Sequence, residues 1–307
     1  MSVQYPYRKT LYLYGAAAKA EVMNYVRAFC IPEEASSLPS IVSAWAGASQ
    51  RFHQIELEER GEAEKINVEN LPPELAPRLK EISDDHLFKQ TFSQLPFEFK
   101  LVELDRLAAG QRTVNLDYVD ILKERIPRSP TDGDLIEFCL APQKQVKLPA
   151  EQILGQNVYS FTSENVDFRF LGGFRKPLTE DDIKASTTGG YPLAAIVLLV
   201  GLGASSMNAF VYQHRYVLNN GFHRAFALRA VGVKQVPIVV QSVNNPQLEF
   251  PQVVAELPRE YLLGANRPAL MKDFFDSELT KELKAKAQNK IVQVQWNASQ
   301  FIIPIAG

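Results

Sequence analysis

Apolar positions change period along this chain, and the changes mark out its elements. From Leu11 to Phe29, and again from Ile41 to Leu57 with Trp45, Phe52 and Ile55, apolar residues recur at helical spacing, so both stretches are expected as helices. Leu71-Pro72-Pro73 breaks the pattern, a short helix resumes over Glu74 to Ile82, and Asp84-Asp85-His86 reads as a cap or turn. Phe99 to Leu107 has strand character and Leu116 to Leu122 helical character. Leu135 to Leu140, Asn157 to Phe161 and Val166 to Leu171 read as strands, and Ile196 to Gly201 is a continuous apolar run of strand length. Tyr212 to Leu218 alternates like a half-buried strand, and Asn219-Asn220-Gly221 tolerates positive φ. Ala225 to Ala230 are good helix formers, Gly232 stops the helix, and Val236 to Val240 returns as a β-branched strand. Ala265 to Asp276 and Leu279 to Lys286 are expected as helices, Ile291 to Trp296 as a strand.

The unit from Tyr212 to Val240 carries the most informative chemistry. His223 and Arg224 stand at a helix start, where backbone N–H groups and the positive end of the helix dipole favour an anion, and an imidazole and a guanidinium strengthen that preference for phosphate. A first-turn arginine is expected to contribute little to packing.

This order of strand, Gly-x-His-Arg turn, helix, Gly and Val-Pro strand resembles the nucleotide-binding core of the ParB/sulfiredoxin-like superfamily. The residues that carry the likeness are Gly221, His223, Arg224, the helix Ala225 to Ala230, Gly232, Val236 and Pro237. A second match lies upstream, where Phe99 to Leu107, Gln111-Arg112 and Leu116 to Leu122 look like the opening strand, loop and helix, and Ile196 to Gly201 would be the central strand. The resemblance implies an α/β fold (α+β with a mixed sheet): a helical N-terminal region over 1–97, the core over 98–242 with an insertion at about 126–192, and a C-terminal accessory region over 243–307. It implies a nucleoside di- or triphosphate as ligand, together with Mg²⁺, held by Gly221 through close backbone approach, by the Phe222 amide, and by His223 and Arg224. Relatives include cytidine-triphosphate-dependent clamps, an adenosine-diphosphate-dependent serine kinase and enzymes of sulfinic-acid repair, so hydrolysis or phosphotransfer stays open. That chemistry needs a carboxylate near the γ-phosphate, and Glu103 and Asp105 are the candidates.

Two departures narrow the reading. Phe222 stands where sulfiredoxins carry their catalytic cysteine, so the sulfur chemistry has no nucleophile. Ser242 to Gly307 offers no convincing helix-turn-helix pair for DNA. The reading from another class is a non-catalytic protein- or DNA-binding assembly protein that retains the fold.

Composition then sets limits. At 307 residues the chain can bury a sizeable core, and 46% hydrophobic with 22% charged residues is ordinary for a globular protein. A net charge of −2 disfavours nucleic acid as a partner, although Arg215, Arg224, Arg229 and Lys234 in one unit keep that contact open; a protein partner or a homo-oligomer is open as well. Cys30 and Cys139 have no metal or redox spacing; a disulfide stays open on sequence alone, while two reduced, buried thiols in a cytoplasmic protein are favoured. The N-terminus lacks an apolar signal core, and the most hydrophobic window, Tyr191 to Gly203, is too short to span a bilayer.

Several clusters have plain structural readings. Glu56, Glu58, Glu59, Glu62 and Glu64 read as a solvated helix face with a carboxylate metal site as the alternative, and Lys281, Lys284, Lys286 and Lys290 read as another solvated helix face with contact to an acidic partner as the alternative. Asp167, Arg169 and Arg175 are candidates to reach a ligand or simply outward residues of a hairpin. Thr179 caps a helix whose first turn is acidic, and Ser186 to Gly190 reads as a flexible connecting loop, with closure over a ligand as the alternative. Gly201-Leu202-Gly203-Ala204 lacks the third glycine and the helix of a dinucleotide fingerprint.

Overall fold

The computed structural model describes residues 6–141, 148–155, 157–165, 168–185, 190, 192–203 and 205–303. Strand β1 (Tyr7–Tyr12) opens the chain. Helix α1 (Lys19–Phe29) follows, with Glu21 accepting the Ala18 N–H at 2.7 Å. Prolines in the first turns of α2 (Pro32–Ser36) and α3 (Leu38–Glu58) suit positions that have no N–H to lose. The 21-residue α3 buries Ile41, Ala48, Phe52 and Ile55 along one stripe. Then come β2 (Val68–Asn70), α4 (Ala76–Asp84) and α5 (His86–Thr91), the last capped by Asp85, whose carboxylate accepts the Leu87 and Phe88 N–H groups. Strands β3 (Phe97–Glu103), β4 (Ala108–Ala109) and β5 (Thr113–Asn115) lead into α6 (Leu116–Glu124), capped by Asn115, and α7 (Asp132–Cys139), capped by Thr131. Next are β6 (Ala150–Gly155), β7 (Val158–Ser163), β8 (Phe168–Lys176), α8 (Glu180–Ala185) and β9 (Ala195–Leu202). Strands β10 (Asn208–Tyr212) and β11 (Arg215–Asn220), helix α9 (Phe222–Ala230) and β12 (Gln235–Ser242) follow in close succession. The chain continues through α10 (Pro246–Glu249), the short pair β13 (Val253–Val254) and β14 (Leu257–Pro258), α11 (Arg259–Gly264), β15 (Lys281–Lys286) and β16 (Lys290–Gln295).

These elements divide between two compact units, one of residues 1–143 with 204–287 and one of residues 144–203 with 288–307. The first is a mixed α/β structure around a six-stranded sheet in the order β2-β3-β12-β10-β11-β4. Strand β12 runs parallel to β10 and antiparallel to β3, and Val236 through Gln241 are all buried, the continuous apolar run of a strand covered on both faces. Leu104, Leu122, Ile136, Leu228 and Ile238 belong to the main core. A three-stranded antiparallel sheet, β15-β1-β5, completes this unit. The second unit holds the sheet β16-β7-β6 and the ribbon β8-β9.

Several expectations change. Leu11 and Tyr12 close strand β1, and the helix begins only at Lys19, because the chain turns at Gly15, where a Cβ would lie 2.9 Å from the Ala48 carbonyl oxygen. Leu135 to Leu140 is largely helix: Thr131 and Asp134 form a reciprocal capping box, and Leu135, Ile136 and Cys139 fall on one helical face. Tyr212 to Leu218 is interrupted by a two-residue hairpin turn at Gln213 and His214, both at positive φ, as right-twisted strands require. Leu279 to Lys286 contains β15, with Leu283 and Ala285 inward and lysines outward in period two. The run Ile196 to Gly201 is a strand, but it pairs with β8 in the second unit and takes no place in the six-stranded sheet.

Candidate functional site

The first unit positions the Gly221 to Arg224 turn between β11 and α9. Gly221 adopts φ +95°, and a Cβ there would stand 2.3 Å from Met207 Cγ, so the turn needs glycine for both its backbone angle and its close approach. Phe222 faces the core and meets Phe274 edge-on at 5.1 Å. His223 Nε2 accepts the Asn115 N–H at 3.1 Å, which leaves the ring proton on Nδ1, and burial pushes its pKa down to about 4. Its ring lies edge-on to Tyr118 at 5.5 Å. The helix head is thereby fixed against the start of α6.

Arg224 reaches the other way. Its Nη1 donates to the Phe138 and Cys139 carbonyls at 3.2 and 3.1 Å, and its Nη2 donates to the Ser205 carbonyl. Two of these acceptors are C-terminal carbonyls of α7, which lack intrahelical partners and sit at the negative end of that helix. The expectation that a first-turn arginine contributes little to packing therefore fails, because this guanidinium ties together the end of α7, the Ser205 segment and α9.

Glu103 and Asp105 are both held by cations. Glu103 pairs with Arg106 at 2.6 Å and accepts the Asn67 N–H at 3.0 Å. Asp105 pairs with Arg229 at 2.5 Å, and that arginine also lies over Phe275 at 4.8 Å. Arg229 is in the last turn of α9, eight residues beyond Gly221, so Asp105 sits at the far end of the helix, separated from the glycine turn by a rise of about 12 Å.

The acidic run is a solvated face only in part: Glu58 is exposed, but three of its glutamates are tied to cations. Glu59 pairs with Arg267 at 2.7 Å and Lys272 at 2.8 Å, Glu62 with Arg106 at 2.7 Å, and Glu64 with Arg215. Burial opposes ionisation of Glu59 and Glu62, yet hydrogen bonds from Lys272 and Arg267, and from Lys65 and Arg106, outweigh it and hold both carboxyls below their usual range. Among the described residues no three His, Cys, Asp or Glu side chains converge so as to hold a metal ion. Cys30 and Cys139 are free, buried thiols that burial pushes up to about 11 and about 12.

A cluster beside β5 escaped sequence reasoning. Arg112 pairs with Glu21 at 2.8 Å, while Glu256 accepts the Arg112 N–H at 3.0 Å and the Thr113 hydroxyl at 3.1 Å. The Arg112 guanidinium lies 6.0 Å from the Tyr261 ring. Gln111-Arg112 was the visible half of this arrangement; Glu21 and Glu256 lie 91 and 144 positions away, beyond any local signal. Elsewhere in the first unit a groove of about 660 Å³ runs along β2 and β3, lined by Glu64, Glu69, Glu98, Lys100, His214 and Tyr216 among others, and it does not include the glycine turn. Arg169 and Arg175 belong to β8 in the second unit, whereas Asp167 and residues 186–189 of the expected loop lie outside the described residues.

Among the described residues no helix is long and apolar enough to cross a membrane. Compared with protein-family models, with curated proteins and with solved structures, the chain matches none.

Proposed function

We propose that the chain is a nucleotide-binding protein built on a ParB/sulfiredoxin-like core, one that binds a nucleoside di- or triphosphate, carried with Mg²⁺, without transferring or cleaving its phosphate. The observation that carries this reading is the head of α9. Gly221 sets the left-handed turn that packs on Met207 and starts the helix, and the N–H groups and dipole at the head of an α-helix favour an anion. The side chains refine the role of each residue. His223 is neutral and fixed by Asn115, and Arg224 braces α7, so the phosphate is met chiefly by main chain. Phosphoryl transfer would need a carboxylate at the γ-phosphate. Glu103 is engaged by Arg106 and Asp105 by Arg229 at the opposite end of α9, which favours binding over catalysis.

Calorimetric titration with the four ribonucleoside triphosphates and their diphosphates, alongside phosphate-release measurements, tests the proposal. Binding of at least one nucleotide without release above background is expected. Tyr118→Glu places a carboxylate beside the His223 ring on a half-exposed helix face and should weaken that binding by about tenfold through charge repulsion. No binding to the unsubstituted protein, or affinity untouched by Tyr118→Glu, would remove the site. The second reading, an assembly protein that keeps the fold for protein contact, is favoured by one observation, the exposed apolar surface of the second unit.

A further inference from the structure

Strands β8 and β9 form a ribbon of two strands, and among the described residues neither pairs with anything else. Strand β9, Ala195-Ile-Val-Leu-Leu-Val-Gly-Leu202, contains no polar side chain. Adjacent residues of a strand point to opposite faces, and Leu198 and Leu199 are 40% and 41% exposed, so the ribbon shows apolar surface on both sides. A two-stranded ribbon is marginal in water by itself, and a flat apolar edge with open N–H and C=O groups is a template for another strand. The two edges differ. Strand β8 carries Arg169, Arg175 and Lys176, the charges that blunt an edge, whereas β9 has nothing to discourage pairing.

We infer that β9 is a self-association edge, pairing antiparallel with β9 of a second copy of this chain. The absence of charge on β9 means that no like charges face one another across such a pair. The product is a four-stranded sheet, β8-β9-β9-β8, with the cationic β8 strands at its outer edges. Of all strands that could dock here, only a second β9 brings the same open edge, so one two-fold contact closes both copies. This inference is independent of the nucleotide reading, because its residues all lie in the second unit.

Sedimentation equilibrium of the full chain should give twice the 34.5 kDa chain mass at micromolar concentration. Leu198→Lys and Leu199→Lys lie on opposite faces. Each should raise the dissociation constant at least tenfold, because edge pairing sets both positions against the partner strand; far-UV circular dichroism serves as the check on folding. Should either lysine unfold the ribbon, hydrogen exchange of the unsubstituted protein gives the answer, with β9 amides gaining protection as concentration rises. A protein monomeric up to its solubility limit overturns the inference. So does a dimer broken by only one of the two lysines, which would mean stacking of faces, or one broken by neither. Exchange of β9 independent of concentration, or a monomer that sediments with zwitterionic lipid vesicles, likewise overturns it.

Discussion

The two units spend their apolar residues in opposite ways. The first, around β12 and α9, closes a core in which Leu104, Leu228, Ile238 and Met271 have no exposed surface, and it neutralises its buried charges in a network of Arg267, Asp273, Glu59 and Lys272. The second buries, among the described residues, a single apolar side chain, Phe168, while Phe170, Phe174, Ile196, Ile291 and Trp296 stay exposed. Both units have strands rich in β-branched and aromatic residues. The difference is cover: β12 is buried over six consecutive residues, whereas β8-β9 meets the β16 sheet only so far as to bury Phe168. Strand propensity builds a ladder, but only a second layer turns the ladder into a stable fold.

Removing a charge from the network of the first unit should have the largest effect. Arg267→Ala would leave Asp273, 3% exposed, without its main partner and Glu59 with Lys272 alone, a loss of about 3–5 kcal/mol by urea unfolding. A cost near zero would mean the network is wetter than its burial indicates. Paired truncations sharpen the contrast. Ile238→Ala, in the fully covered β12, should cost about 2–5 kcal/mol, and Leu198→Ala, in β9, should stay within about 0.5 kcal/mol when measured on the dissociated chain. Equal costs would show that β9 has a core of its own.

Acid probes the glycine turn. Burial lowers the folded-state pKa of His223 to about 4, against about 6.5 in the unfolded chain. Only the unfolded state takes up this proton between those values, so stability is full above about pH 6.5 and falls as pH drops toward 4, by up to about 3 kcal/mol. His223→Gln should flatten that part of the pH profile. Persistence of the full slope in the variant would assign the acid sensitivity to other groups.

The Gly221 turn, α9, Gly232 and β12 were legible in sequence because each depends on local chemistry: a glycine at positive φ, a run of helix formers, and β-branched residues next to a turn. Pairing was not legible. The run Ile196 to Gly201 reads the same whether a strand lies at the centre of a covered sheet or at the edge of a bare ribbon, and only its partners distinguish the two. Arg224 shows the same limit for a side chain. Its place in the first turn suggested an anion, while the carbonyls of Phe138, Cys139 and Ser205, brought back by the tertiary fold, supplied three acceptors. Glu59 of the acidic run was misread for the same reason, since Arg267 and Lys272 lie about two hundred residues downstream of it.

Each unit carries one tryptophan, and this allows the contrast between them to be measured directly. Trp45 lies in α3 of the first unit, where its indole donates to the Ala17 carbonyl at 2.9 Å, and Trp296 follows β16 in the second, where its backbone exchanges hydrogen bonds with Asn157. Denaturant unfolding is followed by fluorescence in Trp296→Phe, which reports the first unit, and in Trp45→Phe, which reports the second, both at concentrations low enough to keep the chain monomeric. The slope of such a transition scales with the surface it exposes. The Trp45 signal should show a steep, cooperative transition, and the Trp296 signal a shallow change at clearly lower denaturant. Coincident transitions with the same midpoint and slope would contradict the account, because the second unit would then share one closed core with the first.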